Sequence, residues 1–100
     1  MKLLLLCLLL TFPAGAALPV VLTSQVGTHS IESIADSGGV IVLDDESVWG
    51  IQVVDRVDSG VWLESDDVMV KRTNEDPNYP YLLINTDEHE TVHAKYMGKP

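Results

Sequence analysis

Clusters of turn-forming residues recur along most of the chain and divide it into short segments. They are rich in Gly, Asp, Asn, Ser and Pro and occupy positions 36–39, 44–47, 58–60, 64–67, 74–80 and 85–88. The segments between them are rich in Val, Ile, Trp and Tyr, and no stretch after residue 17 keeps a helical apolar period for three turns. A chain interrupted this often has room for short strands but not for long helices. The sequence therefore predicts an all-β fold.

The best-defined element is a hairpin that pairs residues 40–43 with 48–53 across the acidic turn 44–47. Successive side chains of a strand point to opposite faces, so Trp49, Ile51 and Val53 share one face. We predict that this face lies in the core.

Two further elements follow the same alternation. Residues 68–71 pair with 81–84 in a second predicted hairpin, and a last strand near 90–96 turns Val92, Ala94 and Tyr96 inward. Five or six antiparallel strands of this length fit a small SH3-like or OB-like barrel, and closing the barrel would remove exposed strand edges.

We expect the barrel domain to span residues 37–97, followed by a short tail, 98–100. Residues 18–36 are assigned to an N-terminal arm, whose degree of order the sequence leaves open. Within that arm, Ile31, Ile34 and Ala35 fit either one helical turn or a first strand.

The first seventeen residues have the three parts of a secretory signal peptide. Lys2 precedes an apolar run at 3–10, and small residues follow at 14–17. The run is shorter than the roughly 20 residues that a membrane-spanning helix needs, so we expect no membrane insertion after cleavage. The only cysteine, Cys7, lies in this leader. Small extracellular domains of animals usually depend on disulfides, so we predict a bacterial protein of the periplasm or the exterior.

The excess of acidic residues restricts the classes of partner that the protein is expected to bind. The chain carries 15 acidic against 6 basic residues and a net charge of −9, and removing Lys2 with the leader leaves −10. Nucleic-acid binding needs clustered Lys and Arg to displace counterions from phosphate, and the chain has no such cluster. We predict a protein partner, and the acidic charge favours one with a basic surface.

Several short motifs carry a family resemblance over roughly residues 38–97. They are Leu43-Asp-Asp-Glu-Ser-Val-Trp49, then Trp62, Asp66-Asp-Val68 and Leu82-Leu-Ile-Asn85. This pattern resembles small exported bacterial proteins with the sequence D-G-S-x-W … W … G-D-x-V … L-I-N and no assigned activity. Glu46 and Asp66 stand where the pattern has glycine, so the turns there differ. The resemblance implies a compact β domain and carries no catalytic residue.

One string suggests metal chemistry. His89-Glu90-Thr91-Val92-His93 matches the H-E-x-x-H zinc-hydrolase signature, which requires a helix to bring both histidines to one metal. The β-branched Thr91 and Val92 favour a strand, in which the two histidines would lie about 13 Å apart. We therefore predict no catalytic residue and no cofactor, and keep a zinc-dependent hydrolase using His89, Glu90 and His93 as the alternative function.

Two other groups of residues are candidate binding sites. The acids at 44–46 and 66–67 offer calcium ligands, but the chain lacks the D-x-[DN]-x-[DN]-G loop, which favours solvated turn acids. Trp62 either closes one end of the barrel or forms an exposed peptide-binding surface with Tyr79 and Tyr81. The predicted function is a non-catalytic binding or accessory module of the bacterial cell envelope.

Overall fold

Six strands form in the computed structural model, which describes residues 26–99. They are β1 Gly27–Ala35, β2 Val40–Leu43, β3 Val48–Ile51, β4 Asp67–Arg72, β5 Tyr81–Asn85 and β6 Glu90–Gly98. Within this described range, helical structure is limited to two 3-10 turns, Asp36–Gly38 and Val53–Asp55, and the single-turn helix α1, Arg56–Ser59. None of the helices within residues 26–99 has the length and hydropathy that a membrane crossing requires. The predicted leader, 1–17, lies outside the described residues.

The strands close into an antiparallel barrel in the order β1-β2-β3-β6-β5-β4. Closure depends on β1, which pairs with β2 through Ile34 and Ile41 and with β4 through His29 and Val68. The predicted fold class, a small antiparallel barrel, is confirmed, with six strands rather than five.

Both predicted hairpins are present. Ile41 lies opposite Trp49 across β2 and β3, and Val70 lies opposite Leu83 across β4 and β5. The inward side chains of all six strands and Trp62 form one core: Ile31, Ile41, Leu43, Trp49, Ile51, Trp62, Val68, Val70, Tyr81, Leu83, Val92 and Ala94. Tyr96 packs against this core while remaining half-buried.

The predicted core face of β3 is correct for Trp49 and Ile51 and wrong for Val53. Trp49 and Ile51 are fully buried, whereas Val53 is 67% exposed. The strand ends at Ile51, and the 3-10 turn that begins at Val53 breaks the two-residue alternation. Val53 therefore faces solvent.

The predicted domain boundary at residue 37 is also wrong, because the barrel begins ten residues earlier. Ile31, Ile34 and Ala35 lie in strand β1 and not in a helical turn. Only Ile31 is fully buried in this strand, and its pairing with β2 shifts register between Ile31 and Ser33. This irregularity weakens the apolar alternation by which a strand is recognised. At the other end, β6 extends to Gly98, one residue into the predicted tail.

Candidate functional site

The aromatic surface predicted from Trp62, Tyr79 and Tyr81 does not form. Trp62 is 4% exposed and Tyr81 is 9% exposed, and both belong to the core. The Tyr81 ring meets Trp49 edge-on at 5.4 Å between centroids. Tyr79 is half-buried, with the ammonium of Lys95 5.6 Å from its ring centre. Trp62 is buried, as the alternative prediction that it closes one end of the barrel requires.

The indole of Trp62 is fixed by a polar contact as well as by packing. Its Nε1 donates to Glu90 Oε1 at 2.6 Å, which joins the β3–β4 connection to the start of β6. We expect Trp62→Phe to lower the free energy of unfolding by about 1–3 kcal/mol, through lost volume and the lost N–H donor. Glu90→Gln keeps an acceptor and should cost less. Urea unfolding followed by far-UV circular dichroism would contradict this if Trp62→Phe left the midpoint unchanged.

The H-E-x-x-H string lies on a turn and a strand, and not on a helix. His89 is exposed in the turn before β6 with φ of 58°, while His93 lies within β6. Glu90 accepts the Trp62 hydrogen bond, and His93 contacts carboxylates from two other elements. The helical geometry that would bring His89 and His93 to one zinc ion is therefore not met.

His93 lies between two carboxylates. Its Nδ1 is 3.0 Å from Asp55 Oδ2, and its Nε2 is 2.7 Å from Glu75 Oε1. The same Asp55 oxygen also accepts the backbone N–H of His93 at 2.7 Å. The hydrogen bonds to Glu75 and to Asp55 raise the pKa of His93 above its usual range, and burial opposes them only in part.

A second histidine is also held by acids. His29 Nδ1 lies 2.8 Å from Asp44 Oδ1, and Asp44 Oδ2 accepts hydrogen bonds from the backbone and hydroxyl of Ser30. Burial raises the pKa of Asp44, but the hydrogen bonds from His29 and Ser30 outweigh it and lower the pKa overall. These contacts fix the β2–β3 turn against β1.

Asp45, next to Asp44 in the same turn, connects these polar groups to the core. Its Oδ1 accepts from Ser47, whose hydroxyl in turn accepts the Nε1–H of Trp49 at 2.8 Å. Its buried Oδ2 has no hydrogen-bond partner within residues 26–99 and lies 4.0 Å from Nε2 of His29. His29, Asp44 and Asp45 are metal-ligating types whose donor atoms lie within 4.8 Å of one another. Because both Asp44 oxygens and Oδ1 of Asp45 already accept hydrogen bonds, we assign the cluster to holding the turn.

Of the acids at 66–67, Asp66 has a structural role, whereas Asp67 is exposed. Asp66 is buried, and its Oδ2 accepts from the backbone of Leu63 and from Nδ2 of Asn85 at 2.9 Å. Asn85 Oδ1 in turn accepts the backbone N–H groups of Asp87 and Glu88. This chain of bonds ties the β3–β4 connection to the β5–β6 turn.

Polar side chains anchor the β3–β4 connection, residues 52–66, to the barrel. Asp55 binds His93, Arg56 donates to the carbonyl of Ile51 at 2.9 Å, and Ser59 donates to the carbonyl of Gly38 at 2.7 Å. Trp62, three residues after Ser59, adds its hydrogen bond to Glu90. The side of the connection that faces the protein is therefore largely polar and hydrogen-bonded.

The opposite side of the connection is apolar and faces solvent. Within residues 26–99, eight large apolar side chains are exposed, and five of them lie on this connection. We call these five the apolar patch: Val53, Val54, Val57, Val61 and Leu63. Most are three or four residues apart along a helical run, a spacing that places side chains on one side. A surface helix normally turns its apolar side inward, and here that orientation is reversed.

Sequence reasoning missed the apolar patch, although the signal is present. Val53 or Val54, Val57 and Val61 repeat at helical spacing, with Asp55, Arg56 and Ser59 between them. That repeat identifies an amphipathic segment but would place the valines against the core. The outward orientation depends on hydrogen bonds to backbone groups of Gly38, Ile51 and His93. Gly38 and His93 are distant from the valines in sequence, and a local apolar pattern carries no information about bonds to backbone groups.

No family model, no curated protein and no solved structure matches this chain.

Proposed function

We propose that the protein is a non-catalytic binding module whose contact surface is the apolar patch on the β3–β4 connection. One observation carries the proposal: most of the exposed large apolar side chains of residues 26–99 lie on this one connection, on the side turned away from the barrel. A concentration of exposed apolar side chains among polar groups is a feature of protein-interaction sites. Its burial by a partner would supply the binding free energy.

The charges around the patch indicate the chemistry of the partner. Asp58 and Glu64 lie among the patch residues, and the whole chain carries a net charge of −9. The basic residue of the connection, Arg56, turns inward to the carbonyl of Ile51. A partner segment with apolar side chains flanked by Lys or Arg would satisfy both the patch and its rim.

The location of this activity is part of the proposal. The signal-peptide pattern at 1–17 and the resemblance to small exported bacterial proteins support a protein of the bacterial cell envelope, periplasmic or extracellular. A partner there would be another envelope protein, for which this domain acts as an accessory.

A pair of charge-matched variants tests the proposal. Val57→Asp and Met69→Asp each add one negative charge at an exposed apolar residue, but only Val57 belongs to the patch. With an alternating Leu–Lys peptide as the probe, we expect Val57→Asp to bind about tenfold more weakly than Met69→Asp, because both variants carry the same added charge and only Val57→Asp loses the burial of a valine, worth about 1.5 kcal/mol. Met69→Asp should not weaken binding. Isothermal titration calorimetry gives both dissociation constants.

Three outcomes would overturn the proposal. The first is an equal loss of peptide affinity in both variants. The second is equal affinity for a Leu–Glu peptide, which would exclude a preference for a basic partner. The third is a concentration-dependent dimer in analytical ultracentrifugation that Val57→Asp dissociates, because the patch would then be covered by a second copy of the chain.

A further inference from the structure

His93 joins three elements at the base of the patch-bearing connection. It lies on β6, Asp55 belongs to the 3-10 turn that begins the connection, and Glu75 belongs to the β4–β5 loop, residues 73–80. Gln52 adds a second link, because its Nε2 donates to Asp76 Oδ2 at 3.1 Å and its backbone N–H donates to the carbonyl of His93. The loop and the connection are therefore held together around one imidazole.

The two contacts of the imidazole require two protons on the ring. A carboxylate only accepts hydrogen bonds, so facing Asp55 and Glu75 with both nitrogens demands an N–H at each. Neutral histidine carries one N–H, and its other nitrogen then presents a lone pair to a carboxylate. Asp55 keeps the backbone N–H of His93 in either state, whereas the Glu75 side chain is 65% exposed and free to move into solvent.

We propose that His93 is a proton-operated latch: its imidazolium fastens the β4–β5 loop to the patch-bearing connection and thereby strengthens binding at the patch in acidic conditions. The regulatory half of this proposal rests on the binding function proposed above. When the latch is closed, the connection and the loop beside it are held in one arrangement, so less freedom is lost when a partner binds. When the proton leaves, Glu75 is released and the loop is held by fewer contacts.

The charged groups around His93 agree with this direction. Asp55 and Glu75 contact the imidazole, and Asp76, next to Glu75 in the same loop, accepts a hydrogen bond from Gln52. Two cations are near. Lys95 lies two residues further along β6 with its ammonium over the Tyr79 ring, and Arg56 follows Asp55 and points to the Ile51 carbonyl.

The sign of the pH dependence follows from the raised pKa of His93. The latch contributes fully below the ordinary histidine pKa of about 6.5, and its contribution is lost as the pH rises through the higher pKa of the folded protein. Loop order and binding at the patch should therefore both decrease from mildly acidic to mildly alkaline pH.

Backbone ¹⁵N heteronuclear NOE values of the loop test the latch without any ligand. We expect the values for residues 74–76, 78 and 79 to be high at about pH 5.5 and low at about pH 8.5, on either side of the histidine pKa. His93→Gln and Glu75→Ala, which removes the hydrogen-bonding group from residue 75, should show low values at both pH values. His89→Gln and Glu88→Ala, which alter an exposed histidine and an exposed acid of the β5–β6 turn, should behave like the unmodified protein.

Binding of the Leu–Lys peptide, measured at the same two pH values, tests the regulatory half. We expect the dissociation constant to increase at the higher pH in the unmodified protein and to stay constant in His93→Gln.

NOE values that do not change with pH would overturn the latch, whether or not the peptide binds. Loop order that responds while the dissociation constant stays constant would overturn the regulation alone. A loop that responds in a protein that binds no peptide at either pH would overturn the binding function and leave the latch intact.

Discussion

Trp49→Ala is expected to lower the free energy of unfolding by about 3–5 kcal/mol, the typical cost of removing a buried tryptophan. Trp49 is fully buried in β3, with its ring 5.4 Å from that of Tyr81 and 5.2 Å from that of Tyr96 between centroids. Its N–H reaches the buried hydroxyl of Ser47, so the substitution leaves a cavity and removes one of the two hydrogen bonds of that hydroxyl. The total free energy of unfolding of a small domain is only about 5–15 kcal/mol, so the substitution would remove much of its stability.

Urea unfolding measures this effect, and Trp62 remains in the variant as a buried fluorescent reporter. Trp49→Phe is the graded comparison, because it keeps an aromatic ring against Tyr81 and loses the N–H. Val57→Ala, at a side chain that is 76% exposed, is the control for a surface truncation. A Trp49→Ala midpoint no lower than that of Val57→Ala would contradict the assignment of Trp49 as the centre of the core.

Gly38→Ala is expected to destabilise the protein by about 2–4 kcal/mol, because two independent costs add at this position. The φ of Gly38 is +92°, a conformation that residues with a side chain rarely adopt. A methyl group there would also lie 2.6 Å from the Cα of Gly60 and 2.7 Å from the carbonyl carbon of Ser59. These are backbone atoms of the β3–β4 connection, so relief would require moving the connection away from the barrel.

Gly27→Ala is the matched control for Gly38→Ala. Gly27 also has a positive φ, +127°, but an added methyl group meets no atom within 4 Å in the described part of the chain. The difference between the two variants in chemical denaturation therefore isolates the collision with Gly60. Equal losses would mean that the connection does not pack against Gly38 in solution.

The parts of the fold that could be predicted are those in which local alternation and burial agree. In β2, β3, β4 and β5, each apolar residue that the two-residue period turns inward is buried, as for Ile41, Trp49, Val70 and Leu83. The turns between them carry their own sequence signals, so both hairpins could be found from local information.

The parts that could not be predicted depend on distant contacts. Strand β1 closes the barrel through pairing with β4, some forty positions away, as between Gly27 and Val70. Val53 faces outward because the anchoring bonds of the connection hold its polar side against the barrel. The sequence makes His93 a candidate zinc ligand through His89, four residues before it, whereas the side-chain contacts of His93 are Asp55 and Glu75, 38 and 18 residues away. Residues 1–17 lie outside the described range, so the signal peptide stays a prediction.

The reversed orientation of the β3–β4 connection has a consequence for how this protein can change over generations. The residues that stabilise the fold and those proposed to bind are separate sets: Trp62, Arg56 and Ser59 face the barrel, while Val57 and Val61 face solvent. Exposed substitutions of this kind usually change stability by no more than about 0.5 kcal/mol. The outward side chains can thus be replaced in descendants of the chain, and the proposed binding specificity changed with them, while the barrel beneath them is inherited unaltered.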